Sequence, residues 1–411
     1  MTKKPHQAPP DLPLGRPEAC GLSSKRLERL GIVLRDDVAA GHLPGAVVGI
    51  MRAGKLVYLK TFGRCDPSGN EDMASDTLFS IASMTKPLVS VAALSLIEEG
   101  RLLLSEPVAK YLPALNDLQV LRTGANAVSD AVPVSRPPLV YDLLRHTAGF
   151  SYRDRGATPS HAVMPGSSLN IPSEFEADEF LDALRRVPLV YQPGTTWEYG
   201  FSTDVLGLLL EAAAGQRLST IIAERICRPL GMASTRFTLE GDDPERYARA
   251  FPTCPVSGAP TKVMHAATSD FKWDCGGAGA LSTVTDYLRF TQMLLNGGEL
   301  GDVRVLGPKT VDLMTSDHLS PGIDNRLETM DPAASGYGFG LGVAVRTADG
   351  LSALAGSEGD FYWSGVYGTY FWCDPAEELA CVFMAMTPGD ISLRLRYRHL
   401  TRMLVNQAII D

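Results

Sequence analysis

The sequence has no CxxC pair, no cysteine–histidine spacing suited to a metal, and no apolar stretch long enough for a membrane span. Its seven cysteines, at 20, 65, 227, 254, 275, 373 and 381, are odd in number and scattered. That pattern excludes a disulfide framework and reads as reduced thiols. The longest largely apolar run, Pro87 to Ile97, falls short of a bilayer's thickness. The opening stretch "MTKKPHQAPPDLPLGRPEAC" lacks the apolar segment and small-residue cleavage site of an export signal. It predicts a Pro-rich extended arm over 1–19 and, with the thiols, a cytoplasmic protein. Positive charge is scarce too. With 38 Lys and Arg against 47 Asp and Glu the net charge is −9, which argues against a nucleic acid or a membrane as partner. The one basic cluster, "LRLRYRH" at 393–399, reads as a helix face. No internal repeat is visible.

What is present is the composition of a loop-rich, enzyme-like globule: 411 residues, 45% hydrophobic and 21% charged, with 39 Gly and 28 Pro. Residues 23–40 place Leu27, Leu30, Leu34 and Val38 on one helical face, with Gly41 as a stop. In "GAVVGIMRAGKLVYLKTFG" two β-rich runs flank Ala53-Gly54, a two-residue hairpin turn. From about 104 to 280 strand signals fade, and short helical patterns alternate with long Gly/Pro/Ser loops of the kind that border functional sites. Strands return as "GYGFGLGVAV", "SGVYGTYFWCDP" and "ELACVFMAMT", before an amphipathic helix carrying Leu393, Leu400, Leu404 and Ala408. The pattern predicts an α+β protein. Its antiparallel sheet draws strands from both chain ends, with the terminal helices on one face and a mostly helical insertion between. The boundaries fall at 20–85 with 280–411 for the sheet subdomain and at 86–279 for the helical one.

Several stretches carry residues suited to chemistry. In "SMTK", Ser83 and Lys86 stand three apart at the entrance of an apolar helix, and Pro87 suits its first turn. That spacing puts hydroxyl and amine on one face. Burial disfavours the charged form of an amine, so a partly buried lysine can take a serine's proton. In "PGTTWEYGFSTDVLG", Tyr199 lies in a loop before a helix capped by Ser202 or Thr203, placed to carry a second proton. In "FYWSGVYGTYFWCDP", glycine inside a strand marks a close approach. An edge strand there offers the Val366 N–H to an oxyanion, with the Ser83 N–H as second donor. His146, in "YDLLRHTAGFSY", reads as a residue that fixes a turn rather than as a base. "CGGAGALSTVTDYLRF" lacks the phosphate-loop pattern and reads as backbone packed close to a site.

Together these motifs resemble the serine β-lactamase and penicillin-binding-protein superfamily, and within it the family VIII carboxylesterases, which are similar to class C β-lactamases. The resemblance runs from about Ser23 to the C-terminus with the motifs in the family's order. "SMTK" matches SxxK, "LLRHTAGF" the LLxHTSG turn, and "WEYGFSTDVLG" the tyrosine motif. "GGAGALSTVTDYLRF" matches the Gly-rich segment and "WSGVYGTYFWCDP" the esterases' WGG-type strand. The likeness implies a β-lactamase-like fold, Ser83 as acylated nucleophile, Lys86 as its base and Tyr199 as proton shuttle. It also implies an oxyanion hole from the Ser83 and Val366 N–H groups and substrate contacts from Trp363, Ser364, Gly365, Phe201 and Tyr152. It implies neither metal nor cofactor.

Two positions depart from the lactamase pattern. Phe201 replaces the asparagine of the tyrosine motif, and Trp363 replaces the KTG lysine, removing a cation that would hold a carboxylate. One such charge-assisted hydrogen bond is worth about 1.5–3 kcal/mol. Both changes favour neutral, apolar esters, and the lack of a lid-like apolar segment favours short acyl chains. The expected activity is therefore ester hydrolysis on a small-molecule substrate through a Ser83 acyl-enzyme. The alternatives are a β-lactamase, a D-amino-acid peptidase or an acyltransferase on the same site, or a penicillin-binding sensor without turnover.

Overall fold

The computed structural model describes residues 12–241, 243–265 and 271–411, so residues 1–11 of the expected arm lie outside the described residues. Strands from both ends of the chain build one seven-stranded antiparallel sheet. They are β1 (Gly45–Arg52), β2 (Lys55–Gly63), β3 (Tyr337–Phe339), β4 (Ala344–Arg346), β5 (Phe361–Ser364), β6 (Tyr370–Asp374) and β7 (Leu379–Ala385). Their spatial order is β2-β1-β7-β6-β5-β4-β3, so the first strand of the chain pairs with the last. Ala46 faces Ala385 and Arg52 faces Leu379 across that seam. Between β1 and β2, Ala53 (φ 48°) and Gly54 (φ 68°) both adopt left-handed backbone, the geometry a two-residue hairpin demands.

β1 is buried along its whole length, because both sheet faces are covered. The helices concerned are α1 (Ser24–Ala39), α4 (Val284–Leu295) and α5 (Ile391–Asn406). A Cβ on Gly49 would lie 2.5 Å from Leu288, so this face of β1 looks at α4. The preceding residue, Val48, pairs with Phe383, whose ring stacks on Tyr397 of α5. Successive strand residues face opposite sides, so α5 lies on the other face, where it packs against α1. Ser23 caps α1, Thr283 caps α4 and Asp390 caps α5, each accepting a backbone N–H. Between the sheet segments, α2 (Thr85–Glu98) packs on α3 (Ser202–Ala214). α2 is buried without interruption from Thr85 to Leu96, so it is a central helix rather than an amphipathic one.

Three sequence expectations change. The stretch "GYGFGLGVAV" is two strands, β3 and β4, folded on a turn in which Gly340 N–H donates to Val343. Gly342 (φ 98°) there passes so near α2 that a Cβ would sit 2.1 Å from Ser90 Oγ. The strand at Ser364 is interior, third from the sheet's β3 edge, and Gly365 begins the turn beyond it, where its N–H donates to Thr369. Neither Ser202 nor Thr203 caps α3; both lie inside it, and Phe201 occupies the cap position without a side-chain bond.

Buried charge fastens α5. Asp360 is fully buried and accepts from Arg346 Nε at 2.6 Å, from Tyr337 at 2.8 Å, and from Arg402 of α5. Removing the carboxylate leaves two buried guanidinium groups uncompensated. Asp360→Ala is therefore expected to cost about 3–5 kcal/mol in equilibrium urea unfolding.

A second buried group makes stability pH-dependent. His265 Nδ1 lies 2.7 Å from Ser80 Oγ and Nε2 lies 3.3 Å from the Phe237 carbonyl, the pattern of a neutral ring that accepts at one nitrogen and donates at the other. Burial lowers its pKa from 6.5 to about 4. The unfolded chain takes up this proton first, so the contribution is complete above about pH 6.5 and is lost as pH falls towards 4. It amounts to about 3 kcal/mol. Denaturant midpoints between pH 7 and 4 check this, and His265→Asn is expected to flatten the slope.

Candidate active site

The chain enters the site through a strained turn. Phe79–Ser80 pairs with Leu281–Ser282, and a 3-10 turn, Ala82–Met84, then leads into α2. Ala82 has φ 45°, unfavourable for a residue with a Cβ. The surroundings hold it. Ile81 N–H donates to Ala280 at 3.0 Å, Thr85 Oγ1 donates to the Ala82 carbonyl at 2.7 Å, and Thr369 Oγ1 donates to the Ile81 carbonyl at 3.1 Å. Gly365 meets the same turn. A Cβ there would lie 2.3 Å from the Ile81 carbonyl, which explains glycine after β5.

This turn presents Ser83 to a cavity of about 250 Å³. Lys86, only 1% exposed, lies below. Its Nζ is 3.3 Å from Ser83 Oγ, 3.4 Å from the Tyr152 hydroxyl and 2.7 Å from the Gly277 carbonyl. An ammonium has three N–H donors, and three acceptors surround it. The Gly277 carbonyl can only accept, so it fixes one direction. With Tyr152 taking a second, the third points at Ser83, as an N–H in the ammonium and as a lone pair in the free amine. The Tyr199 ring closes the remaining side, its centroid 4.7 Å from Nζ.

Behind Tyr152 runs a buried chain that ends in a carboxylate. Tyr152 bonds to Ser168, and Ser168 Oγ donates to Asp204 Oδ2 at 2.7 Å. Asp204 Oδ1 accepts the Gly277 N–H at 3.1 Å and the Cys275 thiol at 2.9 Å. Burial raises the Asp204 pKa while the Lys86 charge pulls it back. Burial, followed by the Asp204 charge, pushes the Tyr152 phenol well above 10, so Tyr152 is a neutral donor. The Gly-rich segment serves this chain: a Cβ on Gly277 would stand 2.4 Å from Ser168 Oγ and 2.5 Å from Asp204 Oδ2.

Ser83, Tyr152, Tyr199, Trp363, Ser364 and Val366 line one cavity. Tyr199 stacks on Trp197 and meets the His146 ring at a tilt, and among the described residues no hydrogen bond joins its hydroxyl to Ser83 or Lys86. Two expected substrate contacts fall elsewhere. Phe201 is fully buried beneath Tyr152 and Phe180, an apolar floor where a polar residue would lack a partner. Gly365 is pressed against Ile81 instead of facing the cavity. His146 forms the turn before Gly149 with φ 56°, and its carbonyl accepts the Glu198 N–H. Burial, then the Lys86 charge, lowers its pKa well below 6.5 and keeps it neutral.

Sequence reading missed Ser168 and Asp204, while the segment that holds Cys275 and Gly277 is, as expected, backbone packed close to the site. A signal existed: Asp204 stands in the otherwise apolar "DVLGLLL", where an unpartnered acid would be costly. It also missed two arginines of the basic cluster, Arg394 and Arg398, which line the cavity with Arg155 and Asp154. The cleft is therefore not the apolar one that the Trp363 substitution suggests.

A hydroxyl beside an oriented amine thus stands at the end of a strained turn in a β-lactamase-like fold. The chain belongs to the β-lactamase family, which matches residues 33–402. The esterase EstB of Burkholderia gladioli is 30% identical over 92% of this chain and 97% of its own. Among solved structures, EstCE1, a hydrolase with promiscuous acyltransferase activity, superposes with a TM-score of 0.76 at 26% identity, over 93% of this chain and 98% of its own. Unliganded simvastatin synthase (LovD) from Aspergillus terreus gives 0.75 at 26% identity, over 94% and 98%. The chain thus groups with the family VIII esterases of the serine β-lactamase and penicillin-binding-protein superfamily. No single described helix is long and apolar enough to cross a membrane.

Gly277→Ala tests the packing of this centre. The added methyl must displace Ser168 or Asp204, so a loss of about 1–3 kcal/mol is expected in urea unfolding.

Proposed function

We propose that the protein hydrolyses short-chain carboxylic esters through an acyl-enzyme on Ser83. One observation carries this reading: two of the three directions around Lys86 Nζ are engaged by Gly277 and Tyr152, and the third is aimed at Ser83 Oγ 3.3 Å away. In the free-amine form, Lys86 accepts the Ser83 proton as Oγ attacks the ester carbonyl. The carbonyl oxygen becomes an oxyanion beside the Ser83 and Val366 N–H groups, an arrangement supported by their place on one cavity wall. The tetrahedral intermediate collapses, the C–O bond to the alcohol breaks, and the alkoxide takes a proton from Lys86 through Tyr199. Water then adds to the acyl carbonyl as the same groups take its proton, and Ser83 leaves with a proton restored.

Tyr152 and Tyr199 divide the work. Tyr152, bonded to Lys86 and to the Ser168–Asp204 chain, orients the amine. Tyr199 flanks the ammonium with its ring and lines the cavity with the substrate, so it is the phenol placed for the leaving group. An aryl phosphonate is expected to label wild type at Ser83 by mass spectrometry and not Ser83→Ala; label retained in the variant removes Ser83 from the reaction. Lys86→Ala and Tyr199→Phe are each expected to lower kcat on p-nitrophenyl butyrate by about 10²–10⁴-fold. Tyr152→Phe is expected to lose less and to displace the pH–rate profile. Strong nitrocefin turnover with negligible ester turnover would replace this reading with a β-lactamase.

A second reading is favoured by the likeness to EstCE1 and simvastatin synthase: the acyl group passes to an alcohol instead of water. Product partitioning with added alcohol separates the two, since transfer yields a new ester in proportion to the acceptor.

A further inference from the structure

Arg394 and Arg398 sit one turn apart on α5 and line the same cavity as Ser83. Arg402, the next residue on that face, is matched by Asp360. Neither Arg394 nor Arg398 has such a carboxylate partner among the described residues. Arg394 Nη1 donates to the Val366 carbonyl at 3.0 Å and Arg398 Nη2 to the Gly365 carbonyl at 3.3 Å. The Nε atoms of both are buried without a partner. The nearby acids are already engaged: Asp331 with His399 at 3.1 Å and the Ala333 N–H at 2.9 Å, Asp390 with the Ser392 N–H at 2.7 Å. On the cavity wall, three arginines, at 155, 394 and 398, face one carboxylate, Asp154. Burial, and after it the Arg398 charge, lowers the Arg394 pKa to about 10.

Like charges four apart on a helix repel, and unpaired buried donors are unfavourable. A ligand carboxylate in the cavity offsets the repulsion, because two guanidinium groups present donors in the planar pattern a carboxylate accepts. We propose that the ester taken by this site carries a carboxylate, which Arg394 and Arg398 bind while Ser83 attacks the ester carbonyl. This rests on the Ser83 esterase reading for its reaction but not for its binding. The lactamase-type cation absent at Trp363 is thereby supplied from α5. The carboxylate can belong to the acyl or to the alcohol portion.

Two matched pairs test the proposal. Monomethyl adipate against methyl hexanoate places the carboxylate on the acyl side, and 4-butyryloxybenzoate against its methyl ester places it on the alcohol side. Wild type is expected to favour the anion in kcat/KM by about ten- to a hundredfold in one pair, which identifies the side. Arg394→Gln and Arg398→Gln are expected to erase that ratio through KM, and Arg394→Lys to keep part of it. A ratio of one or below in both pairs overturns the proposal. So does a variant that slows both members of a pair equally, since the arginines then only support the Gly365–Val366 backbone. Thermal shifts of Ser83→Ala with hexanoate and hexanamide separate this from the esterase reading. Arg-dependent stabilisation by hexanoate, with no ester turned over by wild type, keeps the carboxylate site and removes the reaction. Turnover of neutral esters without that stabilisation does the reverse. Should the Gln variants fail to fold, the Lys variants carry the test: a reduced preference for the anion in a folded Lys variant supports the proposal, and an unchanged one overturns it.

Discussion

A cation held under a serine sets the terms for this architecture. Lys86 is buried in the first turn of the central helix, so each of its donors needs an acceptor, and those come from the helix entrance and from two distant parts of the chain. Gly277 brings the Gly-rich segment against α3, Tyr152 brings the loop after the His146 turn, and Ser83 comes from the strained entrance itself. Asp204 offsets the charge from within α3 through hydrogen bonds that leave no room for a side chain at Gly277.

The strain at Ala82 belongs to the same arrangement. A left-handed alanine survives where neighbours over-determine it. Here the bonds come from Ala280, Thr85 and Thr369, and Gly365 presses on the adjoining peptide. The turn that follows β5 therefore braces the backbone that leads into Ser83 and sets Val366 on the wall of the same cavity.

Much of this was legible in the sequence. Apolar periodicity gave α1 and α5, Ala53-Gly54 gave the hairpin, and the SxxK spacing gave the Ser83–Lys86 pair. Such features are written in residues close together along the chain. The split of "GYGFGLGVAV" was not legible, because Gly342 turns where it meets Ser90 of another segment. The Tyr152–Ser168–Asp204 chain joins three segments, and no local pattern announces it. Arg394 and Arg398 read only as part of a helix face, and Arg396 between them is exposed and reaches Asp37 of α1. Only the rotation of α5 against the sheet tells the two faces apart.

The pairing of β1 with β7 has a consequence for synthesis. Gly45–Arg52 emerges long before its partner Leu379–Ala385 leaves the ribosome. Throughout that interval the early hairpin holds an apolar strand with one open border, the kind of surface that seeks strands on other chains. Contacts so distant along the polypeptide also make closure of the sheet slow. Ser83 is thus made well before the last strand that completes the sheet.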